Sequence, residues 1–304
     1  MLCDSHRITP KGIVAYLRQA LGKPLRFSSP LRYNVPMRVF LFVQVVWCVF
    51  FFSLFVFFDS PLCGESLRAF LLSTGAVPRL SWKLLRMYPH DPAAFTQGMF
   101  FADGVLYEST GLYGQSSLRV VELSTGEVLR SVALEEAYFA EGITAWRDTI
   151  IQLTWTSKVA FIYDRKTLKR LAVRPYPYDG WGITADGKHL IVSDGSATLR
   201  FLNPETFALE REVEVRIGER RVDRLNELEY AEGRIFANVW QEDVILVIDP
   251  PSGRVLAWMD FGDIHDPGKG GENVLNGIAY DGRTKTFLVT GKRWRWVYRV
   301  ALEP

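Results

Sequence analysis

Five stretches of this chain open alike. They begin at Gln97-Gly98-Met99, Glu141-Gly142-Ile143, Trp181-Gly182-Ile183, Asn226-Glu227-Leu228 and Asn276-Gly277-Ile278. After each opening come a turn, a run of β-formers, a second turn and a further β-run. A period of roughly 40 to 50 residues with several short strands per unit predicts a β-propeller, and five openings predict five blades. The turns recur in register, as Asp103-Gly104, Asp186-Gly187, Glu232-Gly233 and Asp281-Gly282 show. The fifth repeat stops near Val300, one strand short. An open edge is a liability, so the strand-like segment Leu80 to Tyr88 is expected to supply the outer strand of blade five and close the ring.

Ahead of the repeats the texture changes. Residues 1–38 carry seven basic side chains against one acid, Asp4. Residues 39–58 then run without a charge (VFLFVQVVWCVFFFSLFVFF), and about twenty helical residues span a bilayer core. Positive residues before the run and Asp59 after it predict a basic cytoplasmic segment over 1–38, a transmembrane signal-anchor helix over 39–58, a linker over 59–78 and an exported propeller over 79–304. That places the domain in the periplasm or outside the cell, anchored or, if the run is cleaved, secreted. The run is long for a signal peptide and lacks a small-residue cleavage site, which favours a retained anchor. Met37 is an alternative start, and Leu62-Cys63-Gly64 fits a lipidation site poorly.

Cysteine and charge narrow the rest. Beyond Cys63 the chain has no cysteine, so the exported domain has neither a disulfide framework nor a cysteine metal site. Thirty-six basic residues face 34 acidic ones, scattered enough that nothing calls for nucleic acid. The four histidines lack metal-ligand spacing. Ile264-His265-Asp266, in the Gly-rich stretch 262–271, is expected to be a mobile loop rather than a ligand set.

The repeat register assembles a candidate site. First strands line the channel, and antiparallel second strands return to the same mouth. The register therefore gathers Gln97, Glu108, Glu141, Trp155, Trp181, Asp194, Asn226, Trp240, Asn276 and Lys292. Polar groups in an aromatic wall suit a small ligand, and a carboxylate among indoles is poised for acid–base work. Duller readings stand beside this one. Tryptophans pack between blades, Asn or Gln caps turns, and Glu227 and Glu229 are solvated or ion-paired.

Longer strings carry a resemblance. His90-Asp91-Pro92, Phe95-Thr96-Gln97-Gly98, Glu108-Ser109-Thr110-Gly111, Tyr138-Phe139-Ala140-Glu141-Gly142, Asp179-Gly180-Trp181-Gly182, Leu225-Asn226-Glu227-Leu228, Leu275-Asn276-Gly277-Ile278 and Thr290-Gly291-Lys292 resemble the glutaminyl-peptide cyclotransferases of the plant and bacterial type. The resemblance runs over roughly residues 86–301. It implies a five-bladed propeller that cyclises an N-terminal glutamine of a peptide or protein to pyroglutamate with release of ammonia. It implies that Glu141 is the catalytic carboxylate, that Gln97, Asn226 and Lys292 are polar substrate-site positions, and that Phe139, Trp155, Trp181 and Trp240 form the aromatic pocket. No cofactor is implied, although a structural divalent ion in the channel stays compatible with it, and a monomer is expected. Two other readings remain: a lactonase-type hydrolase holding a divalent ion with Glu141, Asn226 and Asp194, and a non-catalytic extracytoplasmic peptide-binding propeller.

Overall fold

The computed structural model describes residues 65–303. The predicted cytoplasmic segment, the predicted membrane run and the start of the predicted linker lie outside the described residues. Among the described residues no helix is long and apolar enough to cross a membrane.

Five antiparallel blades form the domain. Blade one is Thr96–Ala102, Val105–Thr110, Ser117–Glu122 and Glu127–Ala133. Blade two is Ala140–Trp146, Thr149–Thr154, Val159–Asp164 and Arg170–Pro175, and blade three is Ile183–Ala185, Leu190–Val192, Thr198–Leu202 and Leu209–Glu214. Blade four is Leu225–Ala231, Arg234–Val239, Val244–Ile248 and Val255–Asp260, with the short Arg79–Leu80 added in parallel. Blade five takes Leu275–Asp281, Thr286–Gly291 and Trp296–Leu302 from the C-terminal end of the chain. Its outer strand is Trp82–Pro89, pairing Lys83 with Ala301 and Tyr88 with Val297. The expected closure of the ring by the N-terminal strand is what the structure contains.

Burial follows position in the blade. First and second strands are buried on both faces, because each blade packs against two neighbours, whereas the outer strands Glu127–Ala133 and Arg170–Pro175 are largely exposed. Five apolar clusters sit between consecutive blades. One example joins Phe100 and Tyr107 of blade one to Ile143 and Phe161 of blade two, and another joins Met99 and Leu106 to Leu288 and Val297, across the closure.

The repeated glycine of the openings has a steric cause. First strands of adjacent blades meet at the channel. A Cβ on Gly142 would lie 2.7 Å from Trp181 O, and one on Gly182 would lie 2.1 Å from Asn226 O. Blade four carries Glu227 at this position instead. Its carboxylate crosses the channel and accepts from Met99 N (3.4 Å) in blade one and Ile278 N (2.8 Å) in blade five. Glu227 is thus buried and hydrogen-bonded, neither solvated nor ion-paired, and burial raises its pKa well above the usual carboxylate range. Glu229, half-buried, accepts from Tyr280 N, and its pKa is pushed up to about 8 by burial.

Within the expected linker a short helix, α1 (Leu67–Thr74), buries Leu67 and Leu71 against blade four. Glu242 accepts from Leu67 N at 2.8 Å and from Arg68 N at 3.2 Å, and so satisfies two of the free N–H groups at the helix start. Arg68 pairs with Asp260.

Candidate active site

At the mouth where first strands begin, a cavity of about 460 Å³ is lined by Phe95, Gln97, Leu112, Phe139, Glu141, Trp155, Trp181, Asn226, Trp240, Glu272 and Lys292. All eight residues expected to form the site are in that wall.

Glu141 is 6% exposed and accepts from Gln97 Nε2 at 3.1 Å. Burial raises its pKa well above the usual carboxylate range, and the charge of Lys292 opposes the rise. Lys292 is itself 5% exposed, with its Nζ 4.8 Å from the Phe95 ring centre. Desolvation lowers the lysine pKa, while Glu141 and Glu272 pull it back up. Each buried charge is therefore sustained by the other and weakened by the dry wall around both.

The wall is two sets of edge-to-face aromatics. Phe139 meets Trp155 at 5.7 Å, Tyr113 at 5.4 Å and Phe95 at 6.3 Å between ring centres. Across the cavity Trp181 and Trp240 cross at 5.9 Å and 88°. In the same wall the Asn226 Oδ1 is buried with no hydrogen-bond partner among the described residues. A buried carbonyl left unpaired is costly.

Three residues that the register brought to the mouth belong elsewhere. Glu108 lies behind the wall, where its Oε1 accepts from His90 Nε2 (2.8 Å) and Thr96 Oγ1 (2.7 Å). The His90 Nδ1 faces Trp294 O at 2.7 Å, so both ring nitrogens point at acceptors, and the Glu108 charge helps to hold the ring protonated. Asp194 is tied to Arg200 Nη1 at 2.6 Å and to Ser196, so the set Glu141, Asn226 and Asp194 does not converge on an ion. Among the described residues no group of three or more His, Cys, Asp or Glu stands close enough together to hold a metal. Asn276 sits beneath Gln97 and donates to Thr96 O at 3.0 Å.

The misplaced Glu108 has an instructive replacement. Trp155, Trp240 and Lys292 each send their backbone N–H to the carbonyl two residues before a blade leader: Phe139, Arg224 and Val274. In blade one the N–H making that bond, to Phe95 O, belongs to Gly111. A Cβ there would lie 2.4 Å from the Phe139 ring. The missing side chain is the space that Phe139 fills.

Phe95, Leu112 and Glu272 are wall residues that the register did not supply. Phe95 stands two residues ahead of the leader Gln97, as Phe139 does ahead of Glu141, so that offset was a usable signal. Glu272 directly follows the Gly-rich stretch 262–271, which is hydrogen-bonded to blade five through Asp266. Asp266 is buried and accepts from Gly268 N, Arg295 N, Trp296 N and Tyr298 Oη.

Comparisons with known proteins identify the family of the chain. A family model for glutamine cyclotransferases matches residues 62–302. The glutaminyl-peptide cyclotransferase of Arabidopsis thaliana is 41% identical over 224 residues, which are 71% of this chain and 69% of the plant protein. The crystal structure of Myxococcus xanthus glutaminyl cyclase superposes with a TM-score of 0.68 at 34% identity, covering 75% of this chain and 98% of that one.

Proposed function

The chain belongs to the glutamine cyclotransferase family, and from that premise we propose that its mouth cavity cyclises the N-terminal glutamine of peptides or proteins to pyroglutamate with Glu141 as the proton shuttle. The enzyme is a glutaminyl cyclase. In the reaction the α-amine attacks the Cδ of its own side-chain amide. A C–N bond forms, a five-membered ring closes, and the Cδ–N bond to the amide nitrogen breaks to release ammonia. Both reacting groups belong to one residue, so the protein's work is to fold the side chain back and move one proton.

The observation that carries this reading is Glu141 itself: a buried carboxylate, oriented by Gln97, with its pKa raised well above the usual carboxylate range by burial. It accepts the proton that the attacking amine loses and returns it to the departing nitrogen, so no net proton is left on the enzyme. A positioned shuttle of this kind is worth on the order of 10²–10⁴ in rate. Lys292 donates to a substrate carbonyl oxygen as negative charge develops, and the unpartnered Asn226 Oδ1 accepts from a substrate N–H. Phe139, Trp155, Trp181 and Trp240 hold the side chain and exclude water.

The test is ammonia release from Gln-Ala peptides by Glu141→Gln. A fall of about 10²–10⁴-fold is expected while the thermal transition is kept; turnover at the wild-type level would overturn the role. The reading gives every step to side chains of this chain, so activity is expected to survive a chelator. Its loss would favour the ion-holding hydrolase, and peptide binding without product the binding propeller.

A further inference from the structure

The cyclase reading accounts for nine of the eleven wall residues or their packing, and leaves the apolar Leu112 and the charged Glu272. Of the three ionisable groups in the wall, Glu141 and Lys292 are buried, and Glu272 is exposed. Its carboxylate makes no hydrogen bond and no ion pair among the described residues. A free surface carboxylate is ordinarily only solvated, but this one is mounted on a braced support. The adjacent Asn273 exchanges backbone hydrogen bonds with Gly270, its carbonyl accepts from Trp294 Nε1 at 3.0 Å, and its side chain donates to Gly268 O at 3.0 Å. The same loop is tied to blade four through Lys269 and Asp243 at 2.9 Å. So many bonds hold a backbone in place, and here they hold an unpaired negative charge at the edge of a substrate cavity.

The geometry of the substrate says what meets it. The N-terminal glutamine fills the cavity, and each further residue advances the chain by about 3.5 Å, so the second residue lies at the rim. Two nearby cations need weighing. Lys292 feels the Glu272 charge, but it is buried, shared with Glu141, and forms no ion pair with Glu272. Arg293, whose guanidinium lies 5.3 Å from the Phe95 ring centre, is not part of the cavity wall. We propose that Glu272 is a specificity-determining residue of this site, selecting peptides and proteins in which the residue after the N-terminal glutamine is basic and disfavouring those in which it is acidic. This rests on the cyclase reading.

In a water-like dielectric, two unit charges several ångströms apart change an equilibrium about threefold. Lysine and glutamate at the second position therefore differ by about tenfold, and salt weakens the difference. The experiment measures kcat/KM for Gln-Lys, Gln-Ala and Gln-Glu amides at low ionic strength with the wild type, Glu272→Gln and Glu272→Lys. The expected Lys-to-Glu ratio is about ten in the wild type, near one in Glu272→Gln, and inverted in Glu272→Lys. A ratio in the two variants equal to that of the wild type, or a wild-type ratio near one, overturns the inference. A wild type that releases no ammonia even from Gln-Ala overturns the cyclase reading and this inference with it, and is told apart by that result.

Discussion

Removing the charge of Lys292 should move the pH dependence of catalysis in a defined direction. Lys292→Met keeps the length and apolar stem of the side chain and deletes the cation that opposes the rise of the Glu141 pKa. Ionised Glu141 is the form that takes the proton, so the acid limb of kcat/KM reports its ionisation in the free enzyme, and the basic limb reports the substrate amine. Without Lys292 the carboxylate loses stabilisation, its pKa rises, and the acid limb shifts to higher pH. The size can be bounded. The two groups interact through their charges without a direct hydrogen bond. At an effective dielectric near 20, charges at 4 Å interact by about 4 kcal/mol, or about three pH units. A separated pair sharing one cavity is coupled less strongly than that. Below the limb, kcat/KM should then drop further, while the basic limb stays put and the bell narrows. The assay is ammonia release from a Gln-initiated peptide across pH 4 to 9, read at low substrate concentration. An acid limb that stays in place, or moves down, would refute the coupling between Lys292 and Glu141 even if activity had fallen overall.

Other substitutions test other parts. Glu227→Ala would leave Met99 N and Ile278 N without their acceptor inside the channel. At about 1–3 kcal/mol per stranded donor, and about 2–4 °C per kcal/mol for a domain of this size, the melting temperature should fall by about 4–24 °C in a thermal-shift measurement. Gly182→Ala places a methyl against Asn226 O; a loss at the upper end of about 1–3 kcal/mol is expected, with a raised KM because Asn226 is displaced. Trp181→Ala removes one half of the crossed indole pair and should raise KM by about thirtyfold, from roughly 2 kcal/mol of apolar contact, with kcat changed only a few-fold.

Much of this architecture was legible because a propeller writes itself five times. The leaders Gln97, Glu141, Trp181 and Asn226 fall in the wall because position in the repeat fixes position around the axis. The misplacement of Glu108 has a physical origin. The first strand of a blade begins at a place set by close backbone approach, which the glycines announce, but the end of the second strand is set by a single hydrogen bond to a carbonyl before the leader. No residue type marks that bond, so in blade one the repeat register points to Glu108 where the fold uses Gly111. The fates of Asp194 and the Asp266 loop were hidden for a different reason. Each carboxylate is claimed by partners, Arg200 in one case and the Arg295–Tyr298 segment in the other, that only the folded chain brings near. Phe95 and Phe139, by contrast, share an offset from their leaders that a sequence does contain.

The outer strand of blade five also sets an order of events. Trp82–Pro89 is among the first parts of the domain to be synthesised, and its partner Trp296–Leu302 is the last. The intervening blades can zip up locally as they emerge, since each is built from neighbouring hairpins. The final pairing has to bring together residues more than two hundred positions apart, with the loop-closure entropy and slow kinetics that such separations carry. Until then blade five is a three-stranded sheet with a bare edge, and a free strand of matching register waits at the other end of the chain. Between neighbouring molecules the same complementarity is a route to strand exchange. The closure that perfects the ring is thus also its slowest step and its most exposed moment, and a chain cut short by a few residues at its C-terminal end would reach that moment with nothing to pair.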